Sequence, residues 1–504
     1  MKNFKQRLLL CLCSIMIVLG SFFMSACLQM EESVSINSIE KTSSVGLVDT
    51  YTIYYSDGTS YQFSITNGAD GKDGLNGTNG ADGKDGSNGI DGEDGADGKD
   101  ATFSIQDIYD KYVADYENIS YADFLETYLN INITDNSLII NRCLLSCMSL
   151  CVEFTYTGSH YDEDGNYVNG KYVNFAFGSA VIYKIENDYT YVVTNYHVVY
   201  DNGTNTDCAD GIAYNIHGYL YGSVGYPAST ESLDDKGYKV YDYGNYGIEL
   251  EYVGGSIDHD IAILRVPTDD IKDVNSDIKA VELSDGYHVG QTAIAIGNPE
   301  AEGISATEGI ISVCDEYIAL DIDGETRYYR SLRIDTSIYA GSSGGGLFNN
   351  RGELIGITNA GMPEDQNINY AVPIEIVKSV VDNILYNYDG TTPATIHKPH
   401  LGVVVEAYNS RYVYDAETGY GIIKEDVVIK EVVEDSIFDI LGLQTGDVIT
   451  NLMINDITYD ISRTFHLGEP ILQIKVGDML SIKYTRDSFS SVTESYQIKV
   501  ENII

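Results

Sequence analysis

Gly341-Ser342-Ser343-Gly344-Gly345-Gly346 stands between two strand-like runs, Leu332-Arg333-Ile334 and Leu354-Ile355-Gly356-Ile357. Gly-Ser runs are commonly linkers, but apolar strands on both sides argue for a tight turn inside a fold. A nucleophilic serine needs such a turn. Its hydroxyl must be presented, and its own amide and a nearby one must point at one spot to hold an oxyanion. Glycine permits that close backbone approach. Upstream, Tyr191-Val192-Val193-Thr194-Asn195-Tyr196-His197-Val198-Val199 sets a histidine at the end of an apolar strand. Between the two, Asp258-His259-Asp260-Ile261-Ala262-Ile263-Leu264 places acids directly before a buried strand. A carboxylate there can hold one imidazole nitrogen and set the tautomer. A lone histidine is more often a half-buried core residue. The order His, Asp, Ser, however, is one of those known for a nucleophilic triad.

Outward from these motifs, residues 140 to 385 alternate short apolar runs with Gly, Asn and Asp. That pattern suits an all-β pair of barrels or sandwiches. Thr391-Thr392-Pro393 and Lys398-Pro399 mark a boundary before a last module. The whole chain has 504 residues, which suggests about three domains. Apolar residues make up 43%, enough for real cores, so wholesale disorder is excluded. Asp and Glu number 76 against 30 Lys and Arg, a formal net charge of −46. Such a chain repels phosphate backbones, which excludes nucleic acid as a partner.

The N-terminus reads as a targeting segment. Lys2, Lys5 and Arg7 precede an apolar run from Leu8 to Phe23, followed by Met24-Ser25-Ala26-Cys27. A basic start, a short apolar stretch and small residues before a cut describe a secretory signal. Met24-Ser25-Ala26-Cys27 also resembles the lipobox of bacterial lipoproteins, which implies a lipidated Cys27 as membrane anchor. An ordinary signal peptide or an uncleaved anchor is the alternative. Of the other cysteines, five lie beyond residue 27: Cys143, Cys147, Cys151, Cys208 and Cys314. An odd number cannot all pair within one chain. The four-residue spacing of the first three fits small buried side chains better than a metal site, which needs a fourth ligand nearby.

Residues 35–67 read as a small β module. Within it Tyr51, Ile53 and Tyr55, then Tyr61, Phe63 and Ile65, alternate around an Asp57-Gly58 turn as a hairpin. Glycine then falls at every third position from Gly68 to Gly98. Strict Gly-X-Y is what a triple helix demands, since only glycine fits at the shared axis. The segment resembles bacterial collagen-like regions but holds no proline, so a flexible acidic spacer stays open beside a trimeric stalk. Residues 104–131 carry helical spacing, with Ser104 before Asp107 and Ser120 before Asp123 as N-cap signals.

Several motifs together resemble the HtrA/Deg serine proteases. They are Gly178-Ser179-Ala180-Val181-Ile182, Thr194-Asn195-Tyr196-His197-Val198-Val199, Asp260-Ile261-Ala262-Ile263-Leu264, Ala295-Ile296-Gly297-Asn298-Pro299, Gly341-Ser342-Ser343-Gly344-Gly345 and Asn369-Tyr370-Ala371-Val372-Pro373. In the last module, Leu401-Gly402-Val403-Val404 and Leu441-Gly442-Leu443-Gln444-Thr445-Gly446-Asp447-Val448-Ile449 look like a PDZ domain. The resemblance covers roughly residues 140–500. It implies a mainly β chain: a two-barrel trypsin-like serine protease domain over 140–390, then a PDZ domain over 396–504. Before these stand a signal (1–26), a tether and β-hairpin module (27–67), a Gly-X-Y stalk (68–100) and a helical connector (101–139). It further implies His197 as general base, Asp260 as its orienting partner and Ser343 as nucleophile. The backbone amides of Gly341 and Ser343 form the oxyanion hole, and Leu401, Gly402 and Val403 the carboxylate-binding loop.

Hydrolysis by such a site passes through an acyl-enzyme and uses no metal or cofactor. Asp258 rivals Asp260 for the acid role; Asp260 is preferred because it directly precedes the matching strand. Ser342 stands where the family usually has Asn, and Gly346 where it usually has Pro. Residues 201–245 read as an inserted loop, whose oxygen-bearing side chains Asp201, Asn205, Asp207 and Asp210 fit a solvated acidic surface better than a cation site. The expected partners are unfolded or mislocalised polypeptides, C-terminal peptides at the PDZ groove, and a membrane through Cys27. Both the family and a triple helix favour a homotrimer. The expected location is the extracytoplasmic face of a bacterial membrane. The competing function is a surface adhesion or display protein that uses the protease fold to bind.

Overall fold

The structure is a computed structural model. It describes residues 36–45, 48–55, 58, 60–66, 109–110, 113, 121, 124 and 136–503, the last stretch without 163–164, 202–206, 224, 323–324, 363–364, 415–418 and 488–489. Cys27, the signal segment, the Gly-X-Y stalk and most of the helical connector lie outside the described residues.

The chain divides into two units, 1–135 and 136–504. In the first, β1 (Ile36–Val45), β2 (Val48–Tyr55) and β3 (Ser60–Thr66) form an antiparallel sheet in that order. The expected hairpin is β2–β3, in register Tyr51 to Phe63 and Ile53 to Tyr61. The third strand, β1, is an addition. Its sequence, Ile36-Asn37-Ser38-Ile39-Glu40-Lys41-Thr42-Ser43-Ser44-Val45, has no clean alternation. It joins through backbone pairing and through Thr42, whose hydroxyl bonds that of the buried Thr52 at 2.8 Å. The described residues of the connector, such as Tyr109 and Phe124, are helical, and their rings meet edge to face at 5.5 Å.

The second unit begins with α1 (Ser137–Cys143), whose Ile139 and Cys143 are buried. A first curled sheet holds β4 (Cys147–Tyr161), β5 (Tyr167–Ile185), β6 (Tyr189–Thr194), β7 (Asn215–Leu220), β10 (Ile248–Glu249), β11 (Glu251–Ser256) and β12 (Ile261–Pro267), in the order β10-β7-β4-β5-β6-β12-β11. Its strands show why they sit where they do. In β12, Ile261 to Val266 are all buried, as a central strand covered on both faces requires. In β4, the stretch Cys147–Thr155 is almost wholly buried, whereas Tyr156–Tyr161 alternates as the hairpin with β5 runs out of the sheet. Val192, Val198, Ala262 and Leu264 share the core beneath.

Residues 201–245 are therefore not one inserted loop. Asn215–Leu220 is a core strand between β4 and β10, and only the β8 (Ala228–Leu233) and β9 (Lys239–Asp242) ribbon and its flanks are added.

The second sheet contains β13 (Glu282–Leu283), β14 (Thr292–Gly297), β15 (Ser305–Ile322), β16 (Glu325–Ile334), β17 (Gly346–Phe348), β18 (Glu353–Met362) and β19 (Asp365–Pro373). Its order is β13-β18-β17-β14-β15-β16-β19, and a further β18–β19 pairing closes it on itself as a barrel. Helix α2 (Ile374–Asn387) follows, burying Ile374, Val377, Val380, Val381 and Ile384 at helical spacing.

The last module has β20 (Val403–Tyr414), β21 (Gly421–Val432), β22 (Val448–Ile454), β24 (Met479–Arg486) and β25 (Ser490–Gln497) in that order, with β23 (Ile457–Asp460) on β22. Its core holds Val427, Ile429, Phe438, Leu452, Leu480 and Ile482. This module packs on the barrels through the β15–β16 hairpin: buried Arg330 pairs with Asp315, Glu375 and Glu469 and lies over the Phe465 ring. The five described cysteines are free thiols, four of them buried. Burial pushes the Cys143 and Cys151 thiols up to about 12, the setting of inert packing residues rather than nucleophiles.

Candidate active site

The site forms where the two sheets meet, and strand register dictates its first half. Because Ala262 on β12 pairs with Thr194 on β6, the residue before β12 lies beside the residues after β6. Those residues are Asp260 and the short turn Tyr196–Val199 that carries His197. Asp260 is fully buried, with a left-handed φ of 53°, a conformation Asp tolerates better than most residues. Its oxygens lie 3.0 and 2.9 Å from His197 Nδ1. The His197 amide donates to Oδ1 at 3.1 Å, and the Asn195 side chain donates to the Asp260 carbonyl at 2.9 Å. Asp258, the rival acid, is exposed and ion-paired with Arg327 at 3.0 Å. Burial pulls the imidazole pKa down, but the Asp260 charge and hydrogen bond outweigh it, leaving His197 above the usual histidine value.

The second half is the glycine turn. Ser342 N–H donates to Tyr339 O at 2.9 Å, Gly344 N–H to Thr358 O at 2.8 Å, and Gly345 N–H to Ser342 O at 2.9 Å. Among the described residues the amides of Gly341 and Ser343 donate to no protein acceptor, as an oxyanion hole requires. Gly344 has φ 87°, and a Cβ there would lie 2.1 Å from Ser179 O; only glycine fits. Gly346 opens β17, tucked against the Phe348 ring.

The three expected residues do not form one continuous hydrogen-bonded row. His197 and Asp260 are joined, but the Ser343 hydroxyl donates to the carbonyl of Asn359 at 3.3 Å rather than to the imidazole. The cause is a β-bulge: the β18–β19 register shifts between Thr358 and Ala360, leaving Asn359 unpaired with its carbonyl toward the serine. A rotation of the Ser343 side chain about χ1, a low-barrier event among staggered rotamers, frees the hydroxyl from this acceptor.

Sequence reasoning missed Ser179. Its amide donates to Ser343 O at 2.8 Å and its hydroxyl to Gly341 O at 2.8 Å, while Asn298 N–H donates back to that hydroxyl at 2.8 Å. One residue of β5 thus fixes both carbonyls flanking the turn. A serine in a strand gives no sign of this, since its partners are backbone atoms 119 or more residues away. Replacing Ser179 by Ala removes two hydrogen bonds, each of about 1 kcal/mol, and leaves Asn298 N–H unpaired. The expected result is a fall in kcat on the order of tenfold with KM little changed, read by steady-state kinetics on a peptide substrate.

In the last module, Leu401 is buried, and its carbonyl accepts from Phe438 N–H at 3.2 Å; Gly402 has φ 70° and accepts from Val433 N–H at 2.8 Å. Val403 opens β20, which among the described strands pairs only with β21 and so forms an edge.

The chain is similar to several known proteins. The family described as "Trypsin-like peptidase domain" matches residues 178–357. A Staphylococcus aureus protein described as "Serine protease HtrA-like" is 27% identical over 287 residues, 55% of this chain and 32% of the relative. The chain thus spans about a third of the length of the curated relatives it matches. Among solved structures, "HtrA-type protease AlgW with decapeptide" is 23% identical with a TM-score of 0.45, covering 73% of this chain and 98% of that one. A serine endoprotease from Yersinia pestis is 20% identical with a TM-score of 0.40, at 73% and 98% coverage. The fold is mainly β, with trypsin-like barrels.

Proposed function

We propose that the protein is a serine endopeptidase of HtrA type, cleaving polypeptides through an acyl-enzyme. The observation that carries this reading is the imidazole of His197 held by a buried carboxylate beside a glycine turn with two unused amides. His197 takes the Ser343 proton as the hydroxyl attacks the scissile carbonyl. Asp260 holds the ring and stabilises the imidazolium, and the Gly341 and Ser343 amides bind the oxyanion. His197 then gives the proton to the leaving amine. Water attacks the acyl-enzyme by the same route, and no step calls for a metal or cofactor.

The substrates in this reading are unfolded or mislocalised proteins. The last module acts as a PDZ domain: an extended C-terminus adds to the free edge of β20, and its carboxylate meets the amides of Leu401, Gly402 and Val403. Diacylation of Cys27 supplies two chains, enough for stable attachment to the outer face of a bacterial membrane, and the Gly-X-Y stretch spaces the enzyme from it. The assembly is a trimer, which a solution mass measured with and without residues 68–100 tests. The central claim is tested by a fluorophosphonate probe with peptide mapping. Labelling at Ser343 is expected; no labelling of the folded protein overturns it.

A further inference from the structure

A cavity of about 320 Å³ opens directly beside the His197 ring. Its walls include Asp201, which follows the histidine turn, Asp321 near the tip of the β15–β16 hairpin, and Asn359 at the β18 bulge. The hairpin is fixed over the site, since Ile318, Ile322 and Tyr329 pack with Tyr200 and Ile257, and the Tyr329 hydroxyl donates to Ile257 O at 2.9 Å. Asp321 is exposed and makes no ion pair among the described residues. Its neighbour Arg327 is engaged with Asp258 and Glu325 instead. Asp201 accepts a hydrogen bond from the Tyr156 hydroxyl.

The independent observation is Asn359. It is 3% exposed, and neither Oδ1 nor Nδ2 has a hydrogen-bond partner. A buried carboxamide with both ends unpaired is costly, and it needs an explanation. Here it sits in the cavity wall, on the residue whose carbonyl touches the nucleophile. Two carboxylate residues and the residue that carries the unpaired carboxamide line one space. They suit a cationic donor group and repel an acid.

We propose that this cavity is the subsite for a Lys or Arg side chain of a substrate residue within two positions of the cleaved bond. The inference rests on the peptidase reading and adds to it a substrate class. The cation lies between Asp201 and Asp321 with the Asn359 carboxamide as a further partner, and it supplies the polar contact that the folded chain leaves unmade. The charge of −46 draws basic segments to the same surface.

The test uses the soluble chain with four peptide series. Each carries Arg, Lys, Gln or Glu in turn at one of the two residues before or the two after the cleaved bond. At one position, kcat/KM for Arg or Lys is expected to exceed that for Gln by about tenfold and that for Glu by more. Exposed Asp321 tolerates exchange, so Asp321→Asn should shrink the Arg-to-Gln ratio several-fold and Asp321→Lys should invert it. Binding of the same peptides to Ser343→Ala, read by fluorescence polarisation, gives the preference without turnover. Protein that labels at Ser343 and cleaves with no preference for a base at any of the four positions overturns the subsite alone. Protein that does not label overturns the peptidase reading, and the binding arm then decides the subsite by itself.

Discussion

Ser343→Ala is expected to lower kcat on casein or a matching peptide by roughly 10⁶, to the residual rate that binding and the oxyanion amides support. The expectation follows from the isolation of this hydroxyl. Among the described residues of the turn, only Ser342 offers another, and that one lies 93% buried, accepting the Tyr339 amide. The fold should survive, because the single hydrogen bond lost runs to Asn359 O, which stays within reach of water from the neighbouring cavity. The variant's melting temperature should therefore stay within a few degrees of the wild type. A wild-type protein that digests casein no faster than Ser343→Ala sinks the nucleophile assignment and, with it, the reading as a protease. In that case the barrels serve to bind.

Much of this site was legible in the chain because its parts lie at strand ends. A histidine after Tyr191-Val192-Val193-Thr194 and an acid before Ile261-Ala262-Ile263-Leu264 become neighbours once those two runs pair, and their apolar character already says that they do. The glycine turn was legible for the same reason. What could not be read depends on register and on backbone partners. The bulge that turns the Asn359 carbonyl to Ser343 arises from a one-residue slip between β18 and β19, which no composition announces. Ser179 acts through carbonyls of the distant turn. The long stretch between His197 and Asp260, rich in Tyr, Gly and Asp, reads as insertion over 201–245, yet Asn215-Ile216-His217-Gly218-Tyr219-Leu220 within it is core strand β7. The glycine is there to admit Met148, whose Cε would lie 2.5 Å from a Cβ at that position. Tertiary packing overrode local preference, as it commonly does for strands.

Asp260→Asn separates the electrostatic role of the acid from its shape, and it should cost about 10⁴ in kcat. Asparagine accepts the left-handed φ of this position, so the turn into β12 is kept. The direction of the pH effect follows from the balance on His197. Burial works to lower the imidazole pKa; the carboxylate reverses this and leaves it above 6.5. The base must be neutral to take the serine proton, so kcat/KM rises with pH through that value. In the wild type the midpoint of the ascending limb should lie above pH 6.5. Once the carboxylate is replaced, burial alone remains, and the midpoint should move below it while the plateau falls. Stability follows the same sign. A histidine whose folded pKa is raised lends stability that is full below its unfolded pKa and is lost as pH rises through the folded value. Thermal unfolding should therefore separate wild type from Asp260→Asn more widely at pH 5.5 than at pH 8.5. A pH–rate limb that does not move, or a stability gap that widens with rising pH, means that Asp260 does not govern the charge of His197.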